Sequence, residues 1–287
     1  MYLTRFRINT ARTEAKRLLG SPQRLHGAVD MAFPEPPARD GAGPRVLWRI
    51  DPAPAGRADL LISSPGRPDL NHLVEQAGWP SLGQEGWTTF AYGEFLDTLS
   101  TGDVWAFRLT ANPVHHIRRQ QDPVGSPTKR TAHVTVRHQV GWLLKQQERA
   151  GFTVLRRAAD TESAPSHVRA TDGSNASGLT AGGEEATPAA DPSPSKATAG
   201  AGEPEEWGYQ LIVHNRTPVR FAKRPTEGNG PVPGTDASVR FTRVTFDGRL
   251  RITDQAAFHR TLTHGLGKAK AYGCGLMTLV PVQAGTT

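Results

Sequence analysis

Tyr2-Leu3-Thr4-Arg5-Phe6-Arg7-Ile8 alternates like a strand, although apolar and aromatic side chains fall on both of its faces. Downstream, Ser21-Pro22-Gln23-Arg24-Leu25-His26 sets a capping side chain ahead of a proline at the first helical position, where the missing N–H costs nothing. The helix so launched carries Leu25, Ala28, Val29 and Ala32 inward and should end near Phe33-Pro34. Strands are expected over 46–50 and 60–63, a helix over 92–99 and a strand over 104–109. That order, β-α-β-β-α-β, is a ferredoxin-like unit.

The second half repeats the order less regularly. A short strand over 132–136, a helix over 138–150 and a strand over 152–155 are followed by strands over 208–214, 219–222 and 239–252. A helix over 254–264 and a strand over 274–280 close it. The expected fold is α+β, with two tandem ferredoxin-like (RRM-like) domains over 1–111 and 132–287, joined by a linker over 112–131.

Residues 158–206 stand apart. They are almost wholly Ala, Gly, Ser, Thr, Pro, Asp and Glu, and cannot bury enough apolar surface to offset the entropy of ordering, so a disordered insertion is expected. The stretch holds nine acidic and two basic residues; its net of −7, taken from the chain total of +7, leaves +14 on the remainder. Such a surplus suits a polyanion. No apolar run approaches the roughly 20 residues that span a bilayer, so no membrane partner is expected and the protein should be soluble and cytoplasmic. The single cysteine, Cys274, can make neither an internal disulfide nor a thiolate metal cage. The adjacent His115 and His116 do not have helical zinc-ligand spacing, and no metal or other cofactor is expected.

Three features bear on chemistry. The loop Gly265-Leu266-Gly267-Lys268-Ala269-Lys270-Ala271-Tyr272-Gly273-Cys274-Gly275 has four glycines that allow close backbone approach and two lysines that suit phosphate. It lacks the Lys-Ser/Thr ending of a P-loop and joins a helix to a strand, the wrong order for a dinucleotide site; a tight turn with solvated lysines is the bland alternative. His26 shares a helix face with Gln23 at i−3 and Asp30 at i+4. An imidazole can take a proton from a ribose hydroxyl or give one to a leaving oxygen, and a carboxylate beside it favours the charged ring, though a lone helical histidine is ordinarily a surface residue. Basic residues also cluster at Arg118-Arg119, Lys129-Arg130, Arg156-Arg157, and Arg220 with Lys223-Arg224. Guanidinium forks match phosphate geometry, while each pair alone is also what a solvated face carries.

The opening Met1-Tyr2-Leu3-Thr4-Arg5, the segment 21–26, Leu109-Thr110-Ala111-Asn112-Pro113, and Phe246-Asp247-Gly248-Arg249-Leu250 leading into the glycine-rich loop together resemble the CasE family of CRISPR RNA-processing endoribonucleases. The resemblance covers nearly all of the chain outside the insertion. It implies cofactor-free cleavage of precursor CRISPR RNA at the base of the repeat hairpin by 2′-hydroxyl attack. It also implies retention of the mature crRNA hairpin and assembly with other Cascade subunits. His26 matches the catalytic histidine, and the glycine loop matches the family's signature loop near RNA, which puts Gly265, Gly267, Gly273, Gly275, Lys268, Lys270 and Arg24 among the expected RNA contacts.

One position departs. Family members often carry tyrosine three residues before the histidine, where this chain has Gln23, which can donate a hydrogen bond but has no phenolic proton. Gln23 therefore also motivates an alternative, a non-cleaving subunit that only clamps the repeat hairpin. A basic two-domain protein with an unrelated ligand is the third expectation.

Overall fold

A computed structural model describes residues 1–35, 43–79, 86–117, 129–157, 208–222 and 238–282. The expected disordered insertion lies outside them, as do Arg118-Arg119 and Lys223-Arg224. Two antiparallel sheets organise the chain.

The first sheet comprises β1 (Tyr2–Asn9), β2 (Leu47–Ala53), β3 (Arg57–Ser64) and β4 (Trp87–Ala91), in spatial order β2-β3-β1-β4. Helices α1 (Thr13–Leu19), α2 (Pro22–Asp30) and α3 (Asn71–Ala77) accompany it. Along β1 the residues Thr4, Phe6 and Ile8 are buried, and Phe6 and Ile8 share a core with Leu25, Ala28, Val29 and Ala32, the inward set expected of α2. The mixed faces of β1 have a structural reason: Met1 and Leu3 pack from its other side against the second core.

The sheet order of a ferredoxin-like unit is thus met, but with different elements than expected. The helix expected over 92–99 exists as α4 (Tyr92–Thr98), yet Tyr92, Leu96 and Leu99 belong to the second core. The strand expected to finish the first unit is β5 (Val104–Ala111), and it pairs with strands of the second sheet. Its place in the first sheet is taken by β4, which lies antiparallel to β1.

The second sheet runs β11-β5-β10-β8, from β5 through β8 (Phe152–Val154), β10 (Ser238–Ile252) and β11 (Met277–Pro281), with β9 (Leu211–Ala222) also on β10. Helices α5 (Val136–Gln147) and α6 (Gln255–His264) lie between its strands in sequence. This is the ferredoxin-like order again, begun by β5. Of the expected opening strand over 132–136 only Ala132 is in a strand, as the last residue of β7 in a separate two-stranded ribbon, β6 (Val114–Ile117) with β7 (Lys129–Ala132), whose strands fall mostly within the expected linker, and Val136 already opens α5.

One strand of this sheet is split. β8 pairs with Leu250–Ile252 and β9 with Ser238–Gly248, so both lie along the same edge of β10. Between them, Leu155 N–H donates to Arg249 O (2.9 Å), Arg249 N–H to Gln210 O (3.0 Å), and Arg157 N–H to Gly208 O (2.9 Å). The acidic segment therefore leaves and re-enters at one point on an edge strand, where it interrupts no central pairing.

The two sheets are bolted by Arg49 of β2, whose side chain is 2 % exposed. Its guanidinium forks onto Asp51 (2.7 and 2.8 Å) and donates to Arg108 O, Leu276 O and the Thr278 hydroxyl in β5, at the lead-in to β11 and in β11. Five donors find five acceptors.

Candidate functional site

The α2 end of the site is built as the sequence suggested. The Ser21 hydroxyl accepts from Arg24 N–H (3.3 Å), and Pro22 occupies the first helical position. One turn on, His26 Nδ1 stands 3.5 Å from Asp30 Oδ1, the two side chains 29 % and 24 % exposed. Burying one face of α2 against the first core presents Arg24 to solvent and leaves Gln23 and His26 half-buried.

The glycine-rich loop reaches this helix from the second sheet. It is tied down by Leu266 N–H to Gly275 O (3.0 Å) and Gly275 N–H to Thr110 O (2.7 Å), with Cys274 and Leu276 fully buried. Gly265, Gly267, Gly273 and Gly275 all have positive φ, from 75° to 94°. The space that their missing side chains leave is filled by protein. A Cβ on Gly273 would lie 2.6 Å from the Trp48 ring of β2, and one on Gly265 would lie 2.8 Å from Leu47. Glycine is required here because the loop closes onto β2 of the other sheet.

The loop's short 3₁₀ turn, Lys270–Tyr272, brings Tyr272 beside His26 with ring centroids 6.1 Å apart and planes at 77°. Phe221 of β9 meets Tyr272 edge-on at 4.9 Å, and Phe241 of β10 lies at 6.0 Å and 22°. The site thus takes its histidine from one unit and its aromatic neighbours from the other.

Cations surround the loop. A cleft of about 510 Å³ is lined by Arg149, Arg260, Lys268 and Lys270, with no carboxylate among the described residues of its wall. Lys270 is pushed down to about 8 by burial, with Arg45, Lys268 and Arg149 adding repulsion. Uncompensated positive charge around a half-buried lysine is what a polyanion would relieve. Arg220 faces Arg240 across the β9–β10 ladder, next to the Phe221 that touches Tyr272.

The other expected contacts are placed elsewhere. Arg156 and Arg157 sit where the acidic segment leaves the second sheet, Arg156 lying over the Tyr209 ring at 5.3 Å. Lys129 and Arg130 are in β7, on the separate ribbon. Tyr272, Arg149, Arg240 and Arg260 were missed by sequence reasoning. Tyr272 had a signal, as the one aromatic residue in the glycine-rich loop. The three arginines are isolated in sequence and become neighbours of the loop only through the fold.

Among known proteins, the model of a family described as CRISPR associated protein matches residues 1–281. The CRISPR-associated endoribonuclease Cse3 of Thermus thermophilus is 25 % identical over 281 residues, spanning 98 % of this chain and all of the relative. The structure of Thermus thermophilus Cse3 bound to an RNA representing a pre-cleavage complex superposes with a TM-score of 0.60 at 22 % identity, covering 98 % of both chains. A chain of a CRISPR RNA-guided surveillance complex gives 0.52 at 16 % identity, covering 98 % of this chain and all of that one. Both structures share the two-unit fold described above.

Proposed function

Since the chain belongs to the CRISPR-associated protein family, we propose that it is a CasE-type endoribonuclease. In this reading it cuts precursor CRISPR RNA at the base of the repeat hairpin and keeps the mature crRNA as a subunit of a Cascade complex. The observation that carries the proposal is His26, paired with Asp30 and set against the glycine-rich loop beside a cleft of four cations.

The chemistry suits these groups without a metal. The ribose 2′-hydroxyl beside the scissile bond attacks the phosphorus, the bond to the 5′-oxygen breaks, and the products are a 2′,3′-cyclic phosphate and a 5′-hydroxyl. A neutral His26 takes the 2′-hydroxyl proton, or a protonated one delivers a proton to the 5′-oxygen. Lys268, Lys270, Arg149 and Arg260 hold phosphates and offset the charge that builds on the phosphoryl oxygens. Dense phosphate contacts of this kind also favour keeping the product, with an affinity that falls steeply in salt.

Repeat RNA incubated with the protein in EDTA should be cleaved, and a 2′-deoxy nucleotide at the scissile position should stop the reaction. His26→Ala should bind the RNA about as tightly as the parent while cleaving on the order of 10²–10⁴ times more slowly. Cleavage of the deoxy substrate, or full activity in His26→Ala, would remove this mechanism. Tight binding by the parent with no cleavage, even at enzyme excess over many hours, would instead make the protein a clamp.

A further inference from the structure

Tyr272 stands beside His26 yet was not among the expected site residues. Its backbone is fixed at both ends. Ala269, just before the 3₁₀ turn, has φ 62° and ψ 33°, and Gly273, just after it, has φ 79° and ψ 25°. A left-handed alanine is costly, and such backbone persists where the surroundings determine it. Here the surroundings are the Trp48 ring packed against Gly273 and the bonds that tie Leu266 to Gly275 and Gly275 to Thr110.

The ring is held as firmly as the backbone. Phe221 abuts it edge-on and Phe241 lies nearly parallel to it, both within the range where aromatic pairs attract. It also stands beside His26, which meets Asp30 of its own helix through Nδ1. A half-buried imidazole with one carboxylate beside Nδ1 can still turn about its χ angles. A second, rigid ring set at 77° to it removes that freedom.

We infer that Tyr272 is a positioning residue: its aromatic ring, clamped by Phe221 and Phe241, holds the plane of His26 so that Nδ1 stays on Asp30 and Nε2 is left for the substrate. This rests on the reading of His26 as the proton-transfer group, and it adds that the active geometry is completed only when the second unit's loop closes on the first unit's helix. The ring contact, not the phenol, does the holding, so phenylalanine should serve.

Single-turnover cleavage of repeat RNA at saturating enzyme, measured from pH 5.5 to 9, tests this in Tyr272→Phe and Tyr272→Leu. Tyr272→Phe should cleave within about threefold of the parent. Tyr272→Leu should be slower by roughly 10- to 100-fold, the usual cost of a misplaced catalytic group, with the dissociation constant for RNA little changed. In the folded Leu variant the NMR ring resonances of His26 should move while those of His72 and His259 stay, a change that a general loss of packing would not confine to one ring.

Parent-like cleavage by Tyr272→Leu would overturn the inference. So would an equal loss in Tyr272→Phe, which would assign the role to the phenol, or a slow rate explained by lost RNA affinity. If His26→Ala itself cleaves normally, the functional reading fails first. If His26→Ala is inactive but Tyr272→Leu is not, only the role of Tyr272 falls.

Discussion

The two units build the same β-α-β-β-α-β order in opposite ways at the same place, the hairpin of their second and third strands. In the first unit, β2 and β3 pair without interruption from Leu47 opposite Ser63 to Ala53 opposite Arg57, and Ala55 and Gly56 turn the corner with positive φ. In the second unit, the strand matching β2 is broken into β8 and β9, and β10 runs for 15 residues to serve both. The uninterrupted hairpin supplies fixed points: Trp48 under Gly273, Leu47 under Gly265 and Arg49 into the other sheet. The divided one supplies reach, carrying Phe221, Phe241 and the Arg220–Arg240 pair to the loop that meets His26. Rigidity and reach are divided between copies of one motif, and the site forms where they meet.

Breaking the rigid half should have the largest effect. Arg49→Ala would leave Asp51 without its bidentate partner, and the carbonyls of Arg108 and Leu276 without their guanidinium donor. Stripping one side from a buried charge pair costs about 3–5 kcal/mol. Denaturant unfolding should show a loss of that order, and an unchanged midpoint would mean the sheets do not depend on this bolt. Gly273→Ala acts on the same junction from the loop side. Its Cβ would sit 2.6 Å from the Trp48 ring at a φ of 79°, so overpacking and left-handed strain should together cost about 1–3 kcal/mol. Cleavage should fall further than RNA binding, because displacing this turn moves Tyr272 away from His26 while leaving most of the basic surface in place.

The same contrast explains which parts could be read in advance. Local signals were sufficient where structure is local. Ser21-Pro22 caps α2, Leu25, Ala28, Val29 and Ala32 face the core, and Asp30 lies one turn from His26. The two-unit α+β class also followed from the order of elements. Partner choice did not, because a strand carries no label for its sheet. β5 has the burial of a central strand in either unit, and only its register with β10 and β11 assigns it to the second. The true fourth strand of the first unit, Trp87–Ala91, is five residues with two threonines, and its α3 is seven residues long, both too short for a periodicity to stand out. The acidic segment was recognised by composition, but its point of departure, inside one edge strand, depends on pairing about 90 residues away along the chain, from Leu155 to Arg249. Of the site, His26 and Lys270 were visible as residues. Their relation to Tyr272, Arg149 and Arg260 exists only once two sheets and a loop are folded together.

The smallest predicted effect concerns the cationic side of the site and separates it from the histidine side. Lys270 has a value of about 8 in place of the ordinary 10.5 because it is partly buried among Arg45, Lys268 and Arg149. In the folded protein the neutral form is therefore favoured relative to the unfolded chain, and charging Lys270 costs stability that is recovered as pH rises from about 8 towards 10.5. RNA acts in the opposite sense, since a phosphate beside the lysine favours the ammonium and raises its value in the complex. Affinity for repeat RNA should then be highest below about pH 8 and fall as pH climbs through it, by a fewfold and at most tenfold per unit. The measurement is best made in His26→Ala, which prevents cleavage and removes the imidazole from the titration. Lys270→Arg keeps its charge throughout and should flatten the decline, while Lys270→Met should bind more weakly at pH 7 and also show no step near 8. A step that persists in Lys270→Met would assign the titration to another group, and the contact between this lysine and the RNA would then have to be given up while the role of His26 stands.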